Sequence, residues 1–73
     1  MDRQMIIDHL ELAERHVSEG AAHVEQQRQL VERLAHEGHY TDRSEAILAQ
    51  FEDLLAMHIA DRDRLQKTLE VIT

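Results

Sequence analysis

Residues 36–42 read His36-Glu37-Gly38-His39-Tyr40-Thr41-Asp42, and this short stretch decides the fold. Gly38 suits the left-handed backbone conformation that ends a helix, because it carries no Cβ to clash there. Thr41 or Asp42 can cap a following helix. Asp42 with Glu45 also has capping-box spacing, with aspartate in place of the usual serine or threonine. These signals leave a loop of about four residues, 38–41. So short a connection makes the flanking helices antiparallel neighbours.

Working outward from the loop, both flanks are written as helices. On the N-terminal side Ile6, Leu10, Ala13, Val17, Gly20, Val24, Gln27, Val31 and Leu34 advance by alternating steps of four and three, the seam of a heptad helix. On the C-terminal side Leu48, Phe51, Leu55, His58, Arg62, Leu65, Leu69 and Ile72 repeat the alternation. His58 and Arg62 interrupt that second stripe near its middle. No proline is present, so nothing forces a break in either run. The expected architecture is all-α: a single domain over 1–73, with a helix over about 3–37, a loop over about 38–41 and a helix over about 42–72. In the antiparallel register Val24 lies near Leu55, Gly20 near His58, and Ile6 near Ile72.

A rod with one seam buries little, and 73 residues is near the size below which a single core rarely suffices. Ile47, Leu54, Met57 and Ile59 on the second helix, with Ile7 and Leu12 on the first, fall outside the narrow stripe. A lone hairpin leaves them wet. Pairing two hairpins into a homodimeric four-helix bundle would cover most of them. Leu48, Phe51, Leu55, Ile47 and Leu54 are therefore the expected packing and interface residues.

Composition removes several function classes. The formal charge is −7 with histidines neutral, and the eight basic residues are scattered among fifteen acids. Clustered cations for phosphate binding are missing. With one tyrosine, one phenylalanine and no tryptophan, there is no platform for stacking bases. Nucleic acid is not expected as a partner. Apolar residues make up 42% of the chain and fall in register, which favours order over disorder. No apolar run approaches the ~20 residues of a membrane span, and the polar start Met1-Asp2-Arg3-Gln4 is unlike a signal peptide. The absence of cysteine fits any redox compartment. A soluble cytoplasmic protein that does not engage membranes is the expectation.

Gly20 stands in a helix interior, where glycine costs ~1 kcal/mol relative to alanine. It either lets the helices approach and accommodates His58, or leaves a notch for a ligand. Histidines are numerous, six in all, and His9, His16 and His23 recur every seven residues along one edge of the seam. His16, His23 and His58 are thus candidate metal ligands near mid-rod, since imidazole and carboxylate bind zinc, iron or manganese in helical bundles; Glu19 is close in sequence but is expected to point away from the seam. His16 and His23 are two turns apart, ~10 Å along the axis, and cannot share one ion. Such a site needs His58 with one of them, plus water or a second subunit. His36 and His39, with Glu32 or Asp42, are a second possible set, although a histidine in a last helical turn is already explained by the helix dipole. Neither His-Glu-x-x-His nor a di-iron Glu-x-x-His pair occurs. Ser18 and Ser44 lack the context of a hydrolytic triad, and His36-Glu37 lacks the rest of a phosphotransfer motif. An enzyme is not expected, and no cofactor is assigned. Protonation of all six histidines would carry the formal charge from −7 to −1, and a His58 buried in the seam would make the fold weaker in acid.

Taken together, His9-Leu10-Glu11-Leu12-Ala13-Glu14-Arg15-His16-Val17, the Gly38-His39 loop, and the run from Phe51-Glu52 to His58-Ile59-Ala60-Asp61-Arg62-Asp63-Arg64-Leu65 resemble short helical-hairpin hypothetical proteins of rhizobia and related alphaproteobacteria. The resemblance covers nearly the whole chain and implies a bacterial cytoplasmic protein without an enzymatic role. It carries no established activity and transfers no functional residue. The functional expectation is a small interaction or regulatory module with an unknown protein partner. The alternative is a metal- or haem-binding bundle.

Overall fold

The computed structural model describes residues 2–73; Met1 of the polar start lies outside them. The described chain is two helices, α1 over Arg3–His36 and α2 over Asp42–Ile72. Helix α1 starts because Asp2, in extended conformation, accepts a hydrogen bond from the Met5 amide at 2.8 Å, satisfying one of the amides that a helix start leaves open. It stops at Gly38, whose φ is +79°. The His39 amide returns to the Leu34 carbonyl at 2.9 Å and the Gly38 amide to the Ala35 carbonyl at 3.1 Å. This crossed pair is the Schellman arrangement that glycine makes possible.

The start of α2 departs from the expected capping box. Asp42 is already the first helical residue, so its carboxylate sits one position too late to cap. Thr41 is the N-cap, yet its side chain makes no capping bond. The Ser44 hydroxyl instead donates to the Thr41 carbonyl at 3.0 Å. Asp42 and Glu45 lie together in the first turn, where negative charge is favoured by the helix dipole.

Cross-helix contacts establish the antiparallel register. Gln27 donates its side-chain amide to the Ser44 carbonyl at 2.9 Å, His23 packs on Phe51, and His16 packs on His58. Further from the loop, Ile6, Ala13 and Leu65 form a buried cluster flanked by Leu10 and Leu69. The molecule is a rod of 54 × 13 × 13 Å. Every α1 seam residue from Ile6 to Leu34 is buried or half-buried, as are the α2 seam residues from Leu48 to Leu69. Ile72 ends the stripe exposed. The seam also reaches one step behind Leu48 to Ser44, which is buried.

This core is thin. Among the described residues the fully buried apolar side chains are Ile6, Ala13, Val24 and Leu65. Ser44, Gln27, His58 and Arg62 occupy seam positions that larger apolar residues would otherwise fill. His58 is half-buried rather than sealed. No described helix is long and apolar enough to cross a membrane.

Candidate functional site

Beside the first seam each helix carries a second stripe with the same spacing. On α1 it runs Met5, His9, Leu12, His16, Glu19, His23, Gln26, Leu30, Arg33; on α2 it includes Ile47, Leu54, Met57, Asp61, Arg64, Thr68 and Val71. Both stripes lie on one side of the rod. Shallow grooves along that side are lined jointly by His9, Leu12 and His16 with Asp61 and Arg64, and by His16, Glu19 and His23 with Leu54 and His58.

Apart from Tyr40 in the loop and Ile72 at the end of the first seam, the exposed large apolar side chains among the described residues collect on this same side. Leu54 is 50% exposed, Met57 67%, Leu12 45% and Met5 45%, and Val71 near the open end is more exposed still. The off-stripe residues therefore separate into two groups. Ile7 and Ile59 fall on the other flank of the seam and are half-buried there, whereas Leu12, Leu54 and Met57 remain in solvent. Of the expected packing residues, Leu48, Phe51, Leu55 and Ile47 are half-buried. Leu54 is the member left open.

Charge divides the rod in the complementary way. Glu11, Glu14, Glu25 and Glu32 on α1, and Glu45, Glu52, Asp63 and Glu70 on α2, belong to the side opposite the histidines and are exposed. On the histidine side Arg64 pairs with Asp61, while Glu19 is offset by Arg33 and Arg43 at the same helical spacing. A chain of net charge −7 thus has one face that is apolar, imidazole-rich and close to neutral.

At mid-rod the concavity between the helices has a volume of about 120 Å³ and is lined by His16, Glu19, Gly20, His23, Leu54 and His58, among others. His16 and His58 are brought together across the seam, with ring centres 5.0 Å apart and planes inclined at 47°. His23 goes elsewhere, its ring centre lying 6.0 Å from that of Phe51. Of the two histidines that were candidates to join His58, it is His16 that meets it, and His23 lies apart, as the two helical turns separating His16 and His23 require. No three histidine, aspartate or glutamate side chains among the described residues converge as an ion's ligand set, and this includes His36 and His39 at the loop.

Gly20 explains how His58 fits. A Cβ at this position would stand 3.3 Å from the Leu55 Cδ1 methyl and 3.8 Å from His58 Cδ2. The missing side chain leaves a notch into which Leu55 and His58 lean. Searches against known protein families, curated proteins and solved structures find nothing that matches this chain. Its function is read from the face itself.

Gln27 belongs to the heptad series, but its partner Ser44 is one that the series as read from Leu48 onward passes over. Continuing the alternation backward from Leu48 by four residues reaches Ser44, so the signal exists in the spacing. It is masked because serine looks like a turn residue rather than a core one.

Proposed function

We propose that this chain is a small non-enzymatic interaction module that works as a homodimer. Two hairpins pack through their histidine-bearing faces into a four-helix bundle, leaving the acidic faces outside for a further protein partner. The observation carrying this reading is the second stripe. A helix in a four-helix bundle must bury two adjacent seams, one against each neighbour, and a helix in a lone hairpin needs only one. Met5, Leu12 and Leu30 on α1, with Ile47, Leu54, Met57 and Val71 on α2, occupy that second seam.

Size and charge support the same arrangement. A side of the rod measures 54 × 13 Å, or about 700 Å² in projection, comparable with the ~800 Å² per partner of a standard stable interface. Pairing through the acidic faces would set carboxylates against carboxylates, whereas the histidine faces meet with little net charge. A dimer also supplies burial that four fully buried apolar residues do not. The acidic exterior disfavours nucleic acid and anionic membrane surfaces as partners. A bacterial cytoplasmic setting belongs to the same proposal.

Sedimentation equilibrium at micromolar concentration tests it. The expected species has twice the chain mass of 8.5 kDa. A folded monomer that stays at 8.5 kDa throughout and unfolds cooperatively would overturn the proposal.

A further inference from the structure

We infer that His16 and His58 form a two-imidazole clamp for a divalent transition-metal ion, tying α1 to α2 at mid-rod, with water filling the remaining coordination positions. The geometry of the pair points to it. An imidazole bound through nitrogen at ~2.0–2.1 Å puts its ring centre ~3.2 Å from the ion, so two rings at a tetrahedral angle have centres ~5 Å apart. His16 and His58 already stand 5.0 Å apart, centre to centre.

Two features around the pair leave room for an ion. Gly20, one turn beyond His16 on α1, carries no side chain, and Leu55 and His58 lean into the space it leaves. The concavity that both rings line measures about 120 Å³ and is open in the single hairpin, whereas one water needs only ~10–15 Å³ of such space. An ion with its water shell fits. Glu19 lines the same concavity and contributes negative charge beside the cation.

The donor set selects the metal. Imidazole nitrogen suits zinc, nickel and copper, while magnesium and calcium demand oxygen. Because both ligands belong to one hairpin, the clamp does not depend on dimerisation. It joins two helices whose shared core is thinnest where His58 and Arg62 interrupt the seam, so bound metal stabilises the folded state by mass action.

Thermal melts of the full chain in zinc or nickel chloride, with EDTA and magnesium chloride as controls, test the inference. The melting temperature should rise by several degrees in zinc and in nickel, and not in magnesium. His16→Asn and His58→Asn should each abolish the rise, whereas His23→Asn and the double change His36→Asn/His39→Asn should keep it. No rise in the parent, or a rise that survives either His16→Asn or His58→Asn, would overturn the clamp. Should a variant lose its helical circular dichroism, the parent alone decides. Paramagnetic nickel should broaden the His16 and His58 imidazole resonances before those of the other histidines, and preferential broadening elsewhere would overturn the proposal. Sedimentation of the same samples in EDTA reports pairing separately from metal binding.

Discussion

Gly20 concentrates the tension between helix propensity and packing at a single residue. Alanine gains ~1 kcal/mol over glycine in a helix interior, but its methyl would meet Leu55 Cδ1 at 3.3 Å, a few tenths of an ångström tighter than an ordinary contact. The obstacle is the flexible end of a half-buried leucine side chain rather than backbone. Gly20→Ala is therefore expected to stabilise the fold by up to ~1 kcal/mol in urea unfolding. A loss of stability would show that Leu55 cannot yield. Gln27 offers a second test at this scale, since its amide is the hydrogen bond that ties α1 to the Ser44 carbonyl. Removing it with Gln27→Ala should cost ~1 kcal/mol. A cost indistinguishable from zero would mean that water replaces the bond without loss.

At the scale of the helices, position along the seam sets the cost of a truncation. Leu65 is 4% exposed and packs with Ile6 and Ala13, so Leu65→Ala should cost ~2–5 kcal/mol. Leu55 is only half-buried, and Leu55→Ala should cost less than Leu65→Ala under the same conditions. The opposite ranking in chemical unfolding would place the core at the wrong end of the rod. The four-three alternation made both helices and the stripes they bury legible in the sequence, but the register came out about one turn away from the one expected, with Gly20 facing Leu55 and His58 meeting His16. The Gly38 stop was equally legible, for a left-handed residue there has few alternatives. The start of α2 was not. Aspartate and threonine are both good caps, and choosing between adjacent candidates depends on backbone angles that a residue pattern does not contain. The histidine site was legible only in part. Periodicity marked His16, His23 and His58, but which imidazole meets His58 depends on a register shift of two turns, and only the folded pair shows that it is His16.

At the scale of the molecule, the rod has two unlike sides, and the central claim is that the side bearing the histidines is where two copies meet. A charge placed on either side distinguishes this claim from association by any other surface. Leu54 lies in the second stripe on the histidine side and is 50% exposed; Ala56, two residues on, is exposed among the acids of the opposite side. Both positions are helical, and glutamate is a good helix former, so neither change should disturb the hairpin itself. With Leu54→Glu, pairing through the histidine faces would bury the introduced carboxylate of each copy in an apolar seam, a cost of several kcal/mol without a partner. The decisive measurement is the dimer dissociation constant from sedimentation equilibrium for the parent, Leu54→Glu and Ala56→Glu. The account predicts at least a tenfold weakening for Leu54→Glu, equivalent to about 1.4 kcal/mol, with Ala56→Glu close to the parent. Equal effects of the two substitutions, or a larger effect of Ala56→Glu, would contradict it.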